Sequence, residues 1–514
     1  MFTNRMLTAA AVGLAAWLST SAALAQKAQD TLRIGLQDPV STVDIVYDPK
    51  PETSFTSEAV FDGLLTYVSE TREFKPELAA SWRRIDPRTL EFSLRHDVTF
   101  HDGSPFTADD VVHTINYLVD PASKIRFGDN WQWIDHAEKI DPYTVRIIAK
   151  KPTAYDLARL ATNTPIYPAA IHGKLADKSE FGRKTPIGTG PYKVEYVDPT
   201  KGVMLVRNPD YKLGAAWRPA ARIGRIHLIP IPDLQTEIAQ LMTGGLDLIH
   251  EVPKDQAEQL AATPGFAMTA NPGVVFYYMS LDSVNRSGNA ALSNQDVRKA
   301  LMMAVDRKSL VQNVVPGGKA VQIVDALCVK IQIGCEYGSA PPSFDTTGAK
   351  QLLAKAGFPD GFDAEITTFP GAYAVAEAVA GQLRKIGVRT SVDKRTFVGY
   401  RDKQREGKLQ ILVGHWSSGG LPDVASTMTY YFGGGPRDYW HDSTIDKWAA
   451  EAEGQMDPAK RGTLYRQVFD HVNAHDYIMP LTTFPSILVH VSDLVVEPGS
   501  LSPAGAALDM MHWK

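Results

Sequence analysis

The sequence predicts an α/β chain in which one sheet is left and re-entered twice, and three observations carry that prediction. A strand, a helix and a strand follow one another from Ile226 to Ile249, the order of a crossover unit. Strands and helices alternate again from Val297 to Val413. Between them and the first strand lies a stretch of another kind, residues 57–182, after which the chain returns to a hairpin at Thr185–Tyr211. In that hairpin Gly188, Gly190 and Pro191 predict a tight turn of unusual φ. Tyr192, Val194 and Tyr196 then alternate with Lys193 and Glu195, and Gly202 introduces the return run Val203 to Arg207.

Taken in order, residues 1–25 stand apart. Arg5, the 13-residue apolar run Met6 to Leu18 and Ala23-Leu24-Ala25 before Gln26 read as a secretory signal peptide. The run is shorter than the about 20 residues a membrane span needs. No cysteine stands at the cleavage point to take a lipid, so a freely diffusing exported protein is expected. Leu32 to Leu36 is the opening strand, and Asp38 to Pro51 is irregular. Val60, Leu64 and Val68, with Phe61 and Leu65 beside them, predict a helix. Two strands from Trp82 to Phe100 turn at Asp86-Pro87. Thr107 and Asp110 form a capping box before Val111, Ile115 and Leu118, and Asp141-Pro142 precedes a strand at Val145 to Ile148.

Beyond the hairpin, strand Ile226 to Ile231 leads to a helix through Leu234, Ile238, Leu241 and Met242, which Gly244-Gly245 stops before strand Leu246 to Ile249. The extended run Phe266 to Leu281 marks the crossing into a second lobe. There Ser293-x-x-Asp296 predicts a cap before Val297, Leu301 and Val305. Gly357 and Gly387 end two further helices, and strands Ala364 to Thr368, Val388 to Val392 and Leu409 to Val413 alternate with them. A last helix, Pro458 to Ala474, precedes Ile478 to Val489, read as one strand crossing back.

Composition narrows the function. Without residues 1–25 the chain carries 52 Lys and Arg (the full 53 less Arg5) against 58 Asp and Glu, a mildly acidic balance with no basic cluster for nucleic acid. GxSxG, HExxH, GxxxxGK[ST] and CxxC are all missing, which removes the usual support for hydrolase, zinc-protease, nucleotide and thiol-redox chemistry. His101, Asp102 and Ser104 are triad residue types, but neighbours in one turn do not adopt triad geometry and read as a turn. Cys328 and Cys335 suit a local disulfide in an exported chain, a zinc site being the alternative. His471 and His475 stand i, i+4 and fit either a two-imidazole metal grip or a solvated helix face. Trp416 closes a strand before the polar loop Ser417-Ser418-Gly419-Gly420 and Asp423, an aromatic plate where α/β lobes place ligands, unless it is simply core. Tyr277 and Tyr278 lie on the crossing strand, where alternation points only one of them inward. Arg395, after Val388 to Val392, is either a carboxylate grip or an exposed charge.

FKPELAASW (Phe74 to Trp82), FSLRHDVTFHDGSPFTADDVV (Phe92 to Val112), PIGTGPYKV (Pro186 to Val194), VRKALMMAVDR (Val297 to Arg307) and AKQLLAKAGFPDGF (Ala349 to Phe362) together resemble the peptide, opine and nickel family of solute-binding proteins of ATP-binding cassette importers. The likeness runs from about Leu32 to Leu481. It implies the two-lobe periplasmic binding protein fold with an extra α+β subdomain in the first lobe, and a solute enclosed between lobes. It also implies no catalysis, no cofactor, and delivery to permease subunits in the inner membrane by a monomer. On this reading residues 26–56, 183–273 and 486–514 form the first lobe's core, 57–182 the inserted subdomain and 274–485 the second lobe. Dipeptide-binding members carry an aspartate shortly after the tryptophan equivalent to Trp416, where it pairs with the peptide amino terminus. Here Ser417 to Gly420 holds no acid. A peptide without that grip, or an amino-acid conjugate such as an opine, is therefore expected, with a secreted hydrolase or a metal-chelate carrier as alternatives.

Overall fold

The structure is a computed structural model and describes residues 30–514 apart from 70, 124, 126–127, 163, 213–219, 272 and 498–505; the expected signal peptide lies outside the described residues. β1 (Thr31–Leu36) is apolar along most of its length because it is covered on both faces. It pairs in parallel with β10 (Arg225–Pro230) and β11 (Leu248–His250), which the helix Leu234–Met242 connects across it. Asp233 starts that helix by accepting from the Thr236 amide at 2.8 Å. The hairpin β8 (Tyr192–Asp198) and β9 (Gly202–Arg207) extends the sheet on the β10 side. On the other side stand β18 (Ser486–Val491) and β12 (Phe266–Asn271), completing the order β12-β18-β11-β1-β10-β9-β8.

The turn before β8 departs from expectation in its cause. Neither Gly188 nor Gly190 has positive φ. Both are needed for space, since a Cβ on Gly188 would lie 1.9 Å from the Val60 carbonyl oxygen and one on Gly190 2.6 Å from that of Ala59. The turn is pressed onto the end of helix Pro51–Val60, where the Gly190 amide donates to Val60 at 3.0 Å. His101 holds it from the far side, accepting from the Gly188 amide at 3.2 Å through Nδ1 and bonding the Gly190 carbonyl at 3.0 Å through Nε2. The His101 ring is thus engaged away from Ser104, whose hydroxyl donates to Asp102 at 2.7 Å, so the three residues form no triad.

Residues 65–149 contribute two small sheets, β2 (Leu65–Val68) with β3 (Glu73–Pro76), and β4 (Ala79–Asp86), β5 (Thr89–Leu94), β7 (Thr144–Ala149) and β6 (Ile134–Asp141) in that order. Here the expected helix around Val60 to Val68 is corrected. Pro51 opens a helix that ends at Val60, and Leu65 and Tyr67 are buried in alternation as β2. The Thr107–Asp110 capping box forms in full at helix Ala108–Val119.

β13 (Phe276–Leu281) lies in a separate five-stranded sheet, β15-β14-β16-β13-β17, with β14 at Asp363–Thr368, β15 at Arg389–Lys394, β16 at Ile411–Trp416 and β17 at Ile478–Thr483. Both faces are covered. Tyr277, Met279 and Leu281 enter one apolar layer, while Phe276 and Tyr278 enter the other. Each inward side chain of that size contributes roughly 1.5–3 kcal/mol by its burial. The chain crosses between the two large sheets twice, from Asn271 to Phe276 and from Thr483 to Ser486. The single strand expected from Ile478 to Val489 is therefore two, parted at Phe484 and Pro485, which has no amide to donate to a ladder. The cap expected at Ser293 belongs to Asn294, which accepts from the Asp296 amide at 2.9 Å.

Candidate functional site

Register fixes where the second sheet faces the first. Phe276 pairs with both Trp416 and Thr483, and Thr368 with Lys394, so the carboxyl ends of β14, β15, β16 and β17 share one edge with the entry to β13. That edge is where the chain leaves for the other lobe, the position at which α/β sheets bind ligands. Gly414 lies just inside it because a Cβ there would meet the Phe369 ring at 2.6 Å. His415 lies beside Phe369 and Phe484, at 5.0 and 4.8 Å between ring centroids. Burial pushes its imidazole down to about 4 and keeps it neutral.

Trp416 is half-buried at this edge. Its indole packs on Tyr430 at 4.1 Å between centroids and donates from Nε1 to Thr427 at 3.1 Å. Two guanidiniums flank the same plate, Arg401 at 5.1 Å and Arg437 at 4.5 Å from the Tyr430 centroid. Arg401 also donates to the Tyr430 hydroxyl at 2.8 Å. Both arginines are half-buried, and among the described residues neither is ion-paired. Sequence reasoning missed them because they stand on separate helical and loop segments whose convergence only the fold creates.

The other expected residues fall differently. Ser417 is exposed and opens a short turn, Ser418–Gly420, in which the Gly420 amide donates to Ser417 at 3.0 Å, so the loop is folded rather than loose. Asp423 lies in the scaffold beside the loop rather than open at the edge. Fully buried, it accepts from Arg461 at 2.7 Å and from the Ala425 amide at 2.9 Å. Burial pushes its carboxyl up to about 6 against the pull of Arg461. Tyr277 and Tyr278 are both buried, one in each layer, so neither stands open; the Tyr277 hydroxyl donates to the Gly371 carbonyl at 2.8 Å. Arg395 lies beyond the edge strand β15 and donates from Nε to Asp393 at 2.6 Å. That carboxylate also accepts from Lys403 at 2.8 Å.

Cys328 and Cys335 are joined as a disulfide, Cα to Cα 5.8 Å. The loop they close supports the site. Gln332 donates to the Ser418 hydroxyl at 3.0 Å, Ile333 donates its amide to Pro422 at 2.7 Å, and Ile331 accepts from the Tyr67 hydroxyl of β2 at 2.9 Å. A second contact between the inserted region and the other lobe is Glu453, which takes Lys151 at 2.9 Å and the Tyr155 hydroxyl at 3.2 Å. His471 is engaged with Asp442 at 2.8 Å and His475 with the His471 carbonyl at 2.9 Å. Among the described residues these two imidazoles and Asp442 do not bring three ligand atoms within 4.8 Å of one another.

Two sheet-based lobes joined by two crossings, with an aromatic plate flanked by two guanidiniums at the carboxyl edge, define a binding protein of the two-lobe type. The chain belongs to the bacterial extracellular solute-binding proteins, family 5, whose description (Bacterial extracellular solute-binding proteins, family 5 Middle) matches over residues 73–438. It is 26% identical over 505 residues to the glutathione-binding protein GsiB of Escherichia coli (strain K12), covering 94% of each chain. Among solved structures it resembles a dipeptide-binding protein from Pseudoalteromonas sp. SM9913 in complex with Met-Leu (TM-score 0.76, 21% identity, 94% of this chain and 100% of that one). It also resembles AgaA in complex with agropinic acid from A. tumefacien R10 (TM-score 0.72, 24% identity, 94% and 99%). Among the described residues no helix is long and apolar enough to cross a membrane.

Proposed function

We propose that this chain is the periplasmic solute-binding component of an importer of the ATP-binding cassette class. It takes a peptide-like amino-acid conjugate, of the kind glutathione or an opine exemplifies, between lobes bounded at residues 273–274 and 485–486, and delivers it to the permease. The observation that carries this reading is the Trp416–Tyr430 plate with Arg401 and Arg437 beside it and no acid from Ser417 to Gly420. A solute carboxylate meets a guanidinium fork in a charge-assisted pair, and the planar or aliphatic body lies on the indole. With Asp423 committed to Arg461, an amino terminus finds no carboxylate on that loop. The similarity to GsiB and to AgaA supports the same class.

The test is a thermal-shift panel on purified protein with glutathione, an opine and free dipeptides. A solute bound only by the folded state adds RT ln(1 + [L]/Kd), about 2.7 kcal/mol at a hundredfold excess over Kd. Glutathione or an opine should stabilise and be recovered intact. No stabilisation by either would overturn the solute class, and product formation would favour a hydrolase.

A further inference from the structure

The lobe that carries β1 and β11 holds a cluster outside the site just described. Glu52 sits in the first turn of helix Pro51–Val60, His250 ends β11, and Glu251 follows it. Consecutive strand residues point to opposite faces. Glu251 escapes that rule because its φ is +57°, which turns its carboxylate back toward the His250 ring. One ligand atom from each of the three lies within 4.8 Å of the others, and Glu52 Oε1 is 3.9 Å from His250 Nε2. This is the one such group of three among the described residues.

The histidine points to an occupant. His250 is 2% exposed, and its Nε2 has no hydrogen-bond partner, an unfavourable state for a buried polar atom. Phe55, three residues after Glu52, packs edge-on against the imidazole at 6.0 Å and fixes its orientation. Neutral imidazole and carboxylate are the forms a metal ion takes.

We propose that Glu52, His250 and Glu251 bind one divalent transition-metal ion at the carboxyl end of β11. Two carboxylates and an imidazole suit ions such as zinc, manganese, nickel or cobalt, with bonds of about 2.0–2.2 Å. Donors around such an ion stand roughly 3–3.5 Å apart, so the Glu52–His250 pair, at 3.9 Å, needs to close by less than about 1 Å and the widest pair, within 4.8 Å, by at most about 1.3–1.8 Å. Glu251 is exposed and opens the entry path, while buried Glu52 and His250 form the floor. His250 pairs with Leu488 on β18, two residues from Ser486, so the site lies near the second crossing between the sheets.

The experiment uses the full exported chain, stripped with chelator and titrated with Co2+ and Zn2+ alone, read by calorimetry and by the visible absorption of bound cobalt. One ion per chain is expected. Glu52→Gln, His250→Gln and Glu251→Gln should each weaken binding at least tenfold, whereas His471→Ala should not. The exposed Glu251→Gln carries the test if a buried substitution fails to fold. Absence of binding to the unmodified chain, or binding unchanged in Glu251→Gln, overturns the site. A solute that stabilises the protein equally with and without metal leaves the solute proposal standing.

Discussion

Replacing Asp423 with Asn separates a scaffold role from a ligand role. Asp423 Oδ2 is 2.7 Å from Arg461 Nη2, with both side chains buried, and Arg461 Nε and Nη1 have no other partner. An asparagine can still cap the helix at Ala425 through its carbonyl oxygen, but it carries no charge. The guanidinium is then left buried and uncompensated. Removing one partner of such a pair costs roughly 3–5 kcal/mol, which for a lobe of about 200 residues lowers the unfolding midpoint by roughly 10 °C. The assay is thermal unfolding followed by circular dichroism at pH 8, with solute affinity measured well below the transition. Affinity should hold, and the double variant Asp423→Leu/Arg461→Met should recover most of the loss. An unchanged midpoint with solute binding abolished would refute the reasoning and return Asp423 to the ligand.

Other consequences follow from single contacts. Glu237 is buried with both carboxylate oxygens unbonded, and burial pushes it from 4.5 up to about 7. Because the folded state favours the protonated form, its contribution is full below pH 4.5 and is lost as pH climbs toward 7, a difference of about 3 kcal/mol. Glu237→Gln should thus stabilise the protein at pH 8 and not at pH 4, which urea titrations at both values will check; equal gains at both would contradict it. Gly188→Ala, which drives a Cβ into the Val60 carbonyl, should cost roughly 1–3 kcal/mol, read from the denaturant midpoint. Cys328→Ser should cost about 2–3 kcal/mol and weaken solute binding through the Gln332–Ser418 contact. Two alkylatable thiols in exported protein would contradict the bond.

What could be read from the chain depended on whether one residue's environment is periodic. β1 shows itself as a short continuous apolar run, β10 by burial on one face, and the helices closed by Gly357 and Gly387 because a positive φ (+93° and +95°) demands glycine. β6 escaped notice because only Ile134 and Ala137 of its eight residues are buried, leaving no alternation. The helix at Pro51–Val60 was misplaced by a few residues since Val60, Leu64 and Val68 fall at helical spacing by coincidence of two elements. At the site, Trp416 was visible as a strand end beside a polar loop. Arg401 and Arg437 were not, since each is an ordinary surface type in sequence and acquires meaning only from distant neighbours. The partner of Asp423 was not legible, because nothing local announces Arg461, 38 residues on.

The most direct measurement is a calorimetric titration with the solute that stabilises best in the thermal panel, in its free-acid and carboxyl-amidated forms. It is run against the unmodified chain, Trp416→Ala and Arg437→Gln. A carboxylate held beside the Trp416–Tyr430 plate predicts at least a tenfold loss, about 1.4 kcal/mol, for each variant with the free acid. It also predicts a comparable loss on amidation in the unmodified chain and little further loss on amidation in Arg437→Gln. Equal affinities for acid and amide, with both variants folded and binding as the unmodified chain does, would contradict it.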